Sequence, residues 1–127
     1  MKQVLVTGGS RGIGAATVRA FAQAGWAVSF FYEKSHEQAR QLARETGAQA
    51  ICCDVADGAA VQAAFAGLPA LDVLVNNAGI AHYGLISQIT EAEWDRLFAV
   101  NVKGIYHCVN AALPGMLHRQ SGCILNV

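Results

Sequence analysis

Short apolar runs alternate with segments of helical periodicity along the whole chain, and this alternation limits the fold more than any other feature. The runs of strand length lie at 3–6, 26–32, within 48–55, at 71–75 and at 123–127. Strands that are separated by helices pair in parallel through right-handed crossovers. The runs are nearly continuous in apolar residues, as expected when helices cover both faces of a sheet. The sequence therefore predicts an α/β fold with a doubly wound parallel sheet of about five strands.

Capping residues mark the ends of the first three predicted helices. Helices are predicted over 13–24, 35–46 and 57–66. Ser35 and Asp57 stand where side-chain N-caps are expected, and Gly25 and Gly47 follow the last helical residues.

A longer helical region begins at Thr90. Thr90 and Glu93 are three residues apart, which is the spacing of a capping box. Gly104, Pro114 and Gly115 interrupt this region, and they predict a kink or a break there.

Composition excludes several classes of protein. The 127 residues are 54% hydrophobic and 14% charged, and the formal net charge is zero. This balance favours a packed interior over disorder. Neither a basic footprint for nucleic acid nor a polybasic membrane patch is present. No apolar run has the length of a membrane span, and the first residues resemble a strand more than a signal peptide. We expect a cytoplasmic protein that binds neither nucleic acid nor membrane.

Cysteines and histidines give no metal-binding pattern. Cys52 and Cys53 are adjacent in a predicted strand, so their side chains point to opposite faces. The other cysteines, Cys108 and Cys123, form no Cys-x-x-Cys pair. We expect buried free thiols in a reducing compartment and no metal site. His82 follows a predicted strand end, where it is a candidate for lining a substrate pocket.

A glycine-rich segment, Thr7-Gly8-Gly9-Ser10-Arg11-Gly12-Ile13-Gly14, joins the first strand to the first helix. In that position, Gly8 permits a sharp turn, Gly12 permits close approach of a pyrophosphate, and Gly14 permits tight packing of the helix. Free N–H groups at the helix start would face the anion. Glycines also serve ordinary turns, but the strand–loop–helix setting favours a phosphate site.

The spacing G-x-x-x-G-x-G is similar to the cofactor motif of the short-chain dehydrogenases/reductases. Further matches follow in that family's order: Asp54-Val55, the "NNAG" of 76–79, the "NVKG" of 101–104 and the terminal "ILNV". The segment from 76 to 107 resembles the 3-oxoacyl-[acyl-carrier-protein] reductase type. The resemblance implies a Rossmann fold with strand order 3-2-1-4-5. It also implies that 1–127 is an incomplete dinucleotide-binding domain, ending before the last strands.

The resemblance also assigns site residues. Cofactor binding falls to Thr7, Gly8, Ser10, Arg11, Gly12, Ile13, Gly14, Asp54, Val55, Asn77, Ala78 and Gly79. In relatives the Asp at the position of Asp54 bonds the adenine amino group, although a turn or cap Asp is the alternative. An Asn at 76 or 77 braces the sheet. Asn101 resembles the catalytic Asn whose backbone carbonyl, freed by a helix kink, holds a water in a proton relay.

The choice between NADP(H) and NAD(H) depends on residues near the ribose 2′ position. No carboxylate stands at Phe31, where NAD-dependent relatives have an Asp, but Glu33 follows two residues later and is able to bind a diol. Arg11 resembles the basic residue of NADP-dependent members, where a guanidinium pairs with the 2′-phosphate. NADP(H) is favoured and NAD(H) stays open.

The family transfers a hydride between the nicotinamide and a carbonyl or alcohol carbon, with a Ser and a Tyr-x-x-x-Lys that manage the proton. The residues four positions after Tyr32, Tyr83 and Tyr106 are His36, Ser87 and Asn110. Ser121 precedes the last strand, whereas the family's Ser follows it. We therefore expect the N-terminal part of an oxidoreductase, possessing only Asn101 of the catalytic set and inactive alone.

Other interpretations stay open. The complete protein is expected to be a homo-oligomer acting on a small carbonyl or alcohol substrate, with 3-oxoacyl thioesters one option. The alternative is a non-catalytic dinucleotide-binding module. A nucleotide-dependent methyltransferase domain is a third option, but its glycine loop would differ.

Overall fold

The computed structural model describes all 127 residues, and it contains one five-stranded sheet in the order β3-β2-β1-β4-β5. The strands are β1 (Gln3–Val6), β2 (Ala27–Tyr32), β3 (Gln49–Cys52), β4 (Val73–Asn76) and β5 (Cys123–Asn126). Every neighbouring pair is parallel. The predicted fold class and strand order are confirmed. The fourth strand begins at Val73 and not at Leu71.

Five α-helices connect and cover the strands. They are α1 (Gly12–Gln23), α2 (His36–Thr46), α3 (Gly58–Ala66), α4 (Glu91–Phe98) and α5 (Gly104–Arg119). A 3₁₀ turn (Ile86–Gln88) precedes α4, and a π-helical turn (Ala99–Lys103) joins α4 to α5. None of the helices combines the length and the apolarity that crossing a bilayer requires.

Two of the three predicted N-caps form. The Asp57 carboxylate accepts the Ala60 N–H at 3.2 Å. Thr90 and Glu93 make both bonds of a capping box, each at 3.1 Å. Ser35 occupies the N-cap position of α2, but its hydroxyl makes no cap bond, so that prediction was wrong. Its ψ of 60° departs from the extended backbone that aims a cap side chain at the helix N–H groups.

The last helical region is interrupted just before Gly104, but it is not interrupted at Pro114 or Gly115 as predicted. The π turn ends at Lys103, and α5 then continues through Pro114 to Arg119 without a break. Pro114 and Asn110 are both exposed, so water can hydrate the Asn110 carbonyl that loses its helical partner. Gly104 has a packing role, since a Cβ there would lie 2.7 Å from the Val55 side chain.

The sheet carries a separate apolar cluster on each face. Leu5 and Leu74 point to the face that α3 and α5 cover, and Val4 and Val6 point to the face that α1 and α2 cover. This arrangement leaves the carboxyl edge of β1 to β4 free to form a site.

Cys53 and Cys108 are buried free thiols, but Cys52 and Cys123 are exposed, so the expectation of buried thiols was wrong for these two. Both lie in the edge strands β3 and β5, which have a neighbouring strand on one side only.

Candidate functional site

A cleft of about 620 Å³ lies at the carboxyl edge of the sheet. The segments that follow β1, β2, β3 and β4 line it, and α4 closes one side. Nine of the twelve predicted cofactor residues line the cleft: Gly8, Ser10, Arg11, Gly12, Asp54, Val55, Asn77, Ala78 and Gly79. A volume of this size is within the usual range for small-molecule sites. The structure therefore brings these nine residues to one cleft, and ligand binding by them stays a prediction.

Tight backbone packing shapes the loop between β1 and α1. Gly8 has φ +61°, and a Cβ there would lie 2.8 Å from the Ala78 Cα. A Cβ on Gly14 would lie 2.0 Å from the Gly8 carbonyl oxygen. Gly9, which the sequence interpretation gave no role, would place a Cβ 2.5 Å from the Phe30 Cβ. Gly12 differs from these three because a Cβ there would meet no atom within 4 Å, although its φ of +58° is positive like that of Gly8.

The start of α1 has a row of unpaired donors. No backbone N–H from Ser10 to Gly14 donates to another protein group, and the N-cap residue Arg11 supplies no side-chain cap. By contrast, α3 and α4 have side-chain caps. Unpaired N–H groups and the positive end of the helix dipole together favour an anion. The arrangement is therefore suited to a phosphate group.

Thr7 lies behind this loop and not on the cleft. Its buried Oγ1 accepts the N–H groups of Asn77 and Ala78 at 3.0 and 2.9 Å. The Asn77 Nδ2 donates to the Gly8 carbonyl at 3.0 Å. These bonds join the loop after β1 to the loop after β4, so both edges of the cleft are held in one position.

Two other predicted cofactor residues, Ile13 and Gly14, lie in the first turn of α1 outside the cleft lining. The Ile13 side chain is largely exposed. Asn76, one residue before the loop, donates from Nδ2 to the Asn126 Oδ1 at 2.9 Å and so braces β4 against β5.

Asn101 lies in the π turn between α4 and α5. Its Oδ1 accepts the Ile80 N–H and its Nδ2 donates to the Ile80 carbonyl, both at 2.8 Å. Ile80 lines the cleft, so Asn101 fixes the cleft wall at the end of the β4 loop. The proton-relay role that resemblance assigns to Asn101 stays a prediction.

A guanidinium that the sequence interpretation missed lies in the cleft. Arg96 of α4 donates from Nη1 to the Asp54 Oδ2 at 3.0 Å, and from Nη2 to both Glu33 oxygens at 3.0 and 3.1 Å. These bonds, that to Asp54 foremost, raise the pKa of Arg96 above its ordinary value. The contacts span 42 and 63 residues of chain, so no local pattern indicates them.

Asp54 already has protein partners for both oxygens. Its Oδ1 accepts the Ala56 N–H at 3.0 Å, and Oδ2 accepts from Arg96. A carboxylate oxygen can accept a second hydrogen bond, so a further donor is still accommodated. His82, the other pocket candidate, does not line the cleft, and its Nδ1 lies 3.7 Å from the Glu93 carboxylate.

The two buried thiols, Cys53 and Cys108, are not activated nucleophiles. Cys53 is buried, and this burial, with a smaller contribution from Asp54 and Asp57, raises the pKa of its thiol to about 11. Burial likewise raises the pKa of Cys108 to about 12. Both thiols are therefore neutral near pH 7. No cluster of three metal-ligating side chains is present.

The parallel sheet, the glycine loop and the cleft at the carboxyl edge define an α/β protein of the Rossmann class. Within that class, the chain belongs to the short-chain dehydrogenase family, whose sequence profile matches residues 2–127.

Known proteins with the same architecture include reductases. The chain is 39% identical over 135 aligned positions to the 3-oxoacyl-[acyl-carrier-protein] reductase FabG of Staphylococcus aureus, covering 99% of this chain and 55% of that protein. It is 47% identical over 106 positions to the cyclic-di-GMP-binding biofilm dispersal mediator protein of Escherichia coli, covering 84% and 45%. A crystal structure of BdcA in complex with NADPH matches with a TM-score of 0.88 and 44% identity, covering 98% and 50%. The chain spans about half the length of the curated relatives it matches.

Proposed function

We propose that residues 1–127 form the cofactor-binding part of an NADP(H)-dependent oxidoreductase. The observation that carries this proposal is the row of unpaired N–H groups from Ser10 to Gly14, at a helix start without a protein cap. Three of these donors belong to Ser10, Arg11 and Gly12, which line the cleft, and the open Cβ side of Gly12 leaves room for a diphosphate.

The cleft residues suit the rest of a dinucleotide. Asp54 and Val55 would hold the adenine, and the backbone of 77–79 would lie along the adenosine ribose. When bound, the cofactor supplies a hydride donor or acceptor at its nicotinamide. The protein's own contribution here is to bind and orient, because both braces of the cleft, Thr7 and Asn101, hold backbone positions.

NADP(H) is proposed over NAD(H) because of charge. Arg11 and Lys34 line the cleft and form no ion pair with any carboxylate of the chain. Such free cations favour a 2′-phosphate. NAD(H) is the second option, since Glu33 also lines the cleft.

The substrate is proposed to be a carbonyl or alcohol compound, with 3-oxoacyl thioesters as the first to test. Support comes from the resemblance to reductases that are named for this reaction. We further propose that these 127 residues do not catalyse turnover alone, since no Tyr of the chain has a Lys four positions later. Asn101 is the one member of the family's catalytic set that is present.

A homo-oligomer is proposed for the complete protein. Trp94, Phe98, Val102 and Tyr106 recur at every fourth position along α4, the π turn and α5, and their side chains are between 46% and 60% exposed. A continuous apolar row of this kind favours association with another chain. Sedimentation of the purified protein measures its oligomeric state. The cytoplasmic location stays a prediction.

A second candidate function is a binding module without catalysis. It is favoured by the name of the Escherichia coli relative, which describes binding of cyclic-di-GMP. The two candidates differ in which ligand the cleft prefers and in whether bound cofactor is consumed.

Calorimetric titration of the 127-residue chain with NADPH, NADH and cyclic-di-GMP tests these proposals. We expect NADPH to bind more tightly than the other two, and no NADPH oxidation when a 3-oxoacyl thioester is added. Binding of cyclic-di-GMP alone would favour the module. Steady oxidation of NADPH would refute the proposed inactivity.

A further inference from the structure

Two carboxylates at the carboxyl edge of the sheet share a single guanidinium. Glu33 directly follows β2, and Asp54 follows β3. Arg96 reaches both from α4: its Nη2 donates to both Glu33 oxygens at 3.0 and 3.1 Å, and its Nη1 donates to Asp54 at 3.0 Å. All three side chains are partly exposed, between 31% and 40%. The group therefore forms part of the cleft wall and is not a buried core network.

An acidic residue near the end of the second strand has a known effect on dinucleotide choice. It accepts hydrogen bonds from the ribose hydroxyls of NAD, and its charge repels the 2′-phosphate of NADP. Glu33 stands in this region, so its charge alone would oppose an NADP-binding cleft. The ion pair with Arg96 offsets part of that charge, since the same guanidinium also pairs with Asp54.

We propose that Arg96 sets the cofactor preference of this cleft by offsetting the charge of Glu33, which makes the ribose end of the site more acceptable to a 2′-phosphate. This inference rests on the proposed function. It assigns Arg96 a positioning role that acts through Glu33, whereas Arg11 and Lys34 stay free to contact the phosphate itself.

The guanidinium is held in place by the fold. Asp54 anchors Nη1, and the Ala56 N–H in turn holds Asp54 at 3.0 Å. The capping box at Thr90 and Glu93 fixes the start of the helix that carries Arg96. A planar fork that donates to two carboxylates at once suits Arg and not Lys, whose ammonium is a point charge.

The test compares two ligands that differ by one group, adenosine 2′,5′-bisphosphate and adenosine 5′-monophosphate. In Arg96→Gln we expect the preference for the bisphosphate to fall about three- to fivefold, the range that one partly exposed charge pair supports. High salt should reduce the difference in preference between Arg96→Gln and the unmodified protein, because exposed charges are screened. Arg19→Gln is the matched control. Arg19 pairs with Glu45 at 2.9 Å with comparable exposure, and neither residue lines the cleft.

A second variant separates charge from structure. In Glu33→Gln/Arg96→Gln the repelling charge is gone, so we expect the bisphosphate preference to return toward that of the unmodified protein. Circular dichroism on each variant verifies folding. An equal loss for both ligands in Arg96→Gln, or no recovery in the double variant, would overturn the inference while the proposed function stands. If the unmodified protein binds neither ligand, both the inference and the proposed function fail.

Discussion

At the scale of single residues, the conformation of the loop between β1 and α1 depends on which positions have room for a Cβ. Gly14 touches the backbone of the preceding turn, whereas Gly12 faces open space. We therefore expect the two glycines to have separable purposes, Gly14 in folding and Gly12 in binding.

Alanine at these two positions should separate stability from binding. Gly14→Ala places a Cβ 2.0 Å from the Gly8 carbonyl oxygen, and we expect a loss of roughly 1 to 3 kcal/mol or more of unfolding free energy. Gly12→Ala meets no atom within 4 Å and costs about 1 to 2 kcal/mol for its positive φ. Urea unfolding measures the free energies, and NADPH titration should show binding lost in folded Gly12→Ala. Unchanged affinity in that variant would count against Gly12 as the phosphate contact.

Thr7 gives a second prediction at this scale. Thr7→Val removes the acceptor for the Asn77 and Ala78 N–H groups, and leaving a buried donor unpaired costs about 1 to 3 kcal/mol. Thr17→Val is the control, because the Thr17 hydroxyl bonds only the Ile13 carbonyl one turn earlier, on the surface of α1. Thermal unfolding of both variants makes the comparison. Equal destabilisation would contradict the bracing role.

Local patterns were sufficient for some of these residues and not for others. Gly8, Gly12 and Gly14 follow from spacing, since strand, turn and helix are consecutive in the chain. Arg96 does not follow, because its partners lie 42 and 63 residues away and meet it only after α4 packs. The need for glycine at position 9 was not predicted, because the side chain that leaves no room for a Cβ there is Phe30, on a neighbouring strand.

At the scale of elements, the π turn between α4 and α5 positions a side chain. It turns the Asn101 amide toward the β4 loop, where the amide pairs with both backbone groups of Ile80. Single-turn π segments are often found at functional sites.

Asn101→Ala should loosen the β4 loop. Two hydrogen bonds are lost, each contributing about 0.5 to 1.5 kcal/mol, and the Ile80 amide should exchange faster with solvent. Hydrogen exchange followed by NMR reads this amide directly. Asn110→Ala, at an exposed position of α5 without a side-chain bond, should leave Ile80 exchange unchanged. The same protection in both variants would mean that Asn101 does not hold the loop.

The positions of helices were predictable where the periodicity of hydrophobic residues and the capping residues agree. The starts of α3 and α4 follow from Asp57 and Thr90, whose side chains bond inside their own first turn. The π turn has no such signal. The break predicted at Pro114 was wrong, because an exposed helix can continue past a proline when solvent hydrates the carbonyl that loses its hydrogen bond.

At the scale of the whole molecule, two apolar layers enclose the sheet, and buried thiols lie in one of them. The strand order was predictable because the family resemblance implied it, while alternation alone predicted only a parallel sheet. Strand β5 pairs with β4 alone and has Leu125 half exposed, so it forms an edge of the sheet.

Buried thiols should make the fold sensitive to alkali. Folding raises the pKa of Cys53 from 9.0 to about 11 and that of Cys108 from 9.0 to about 12. Between pH 9 and the raised pKa values, the folded state therefore binds more protons than the unfolded state. The free energy of unfolding should fall as pH rises above about 9. Urea unfolding from pH 8 to 11 measures this slope. The control, Cys53→Ala/Cys108→Ala, retains every other titrating group, so an equally steep slope there would contradict the assignment to thiols.

We propose above all that the loop from Gly8 to Gly14 receives a diphosphate on its free N–H groups. Titration of the ¹⁵N-labelled chain with ADP, and with adenosine as the phosphate-free control, tests it most directly. We expect the amides of 10–14 to shift with ADP and not with adenosine, and we expect these shifts to be lost in Gly12→Ala. Unshifted amides in this loop, while ADP binds elsewhere or not at all, would contradict it.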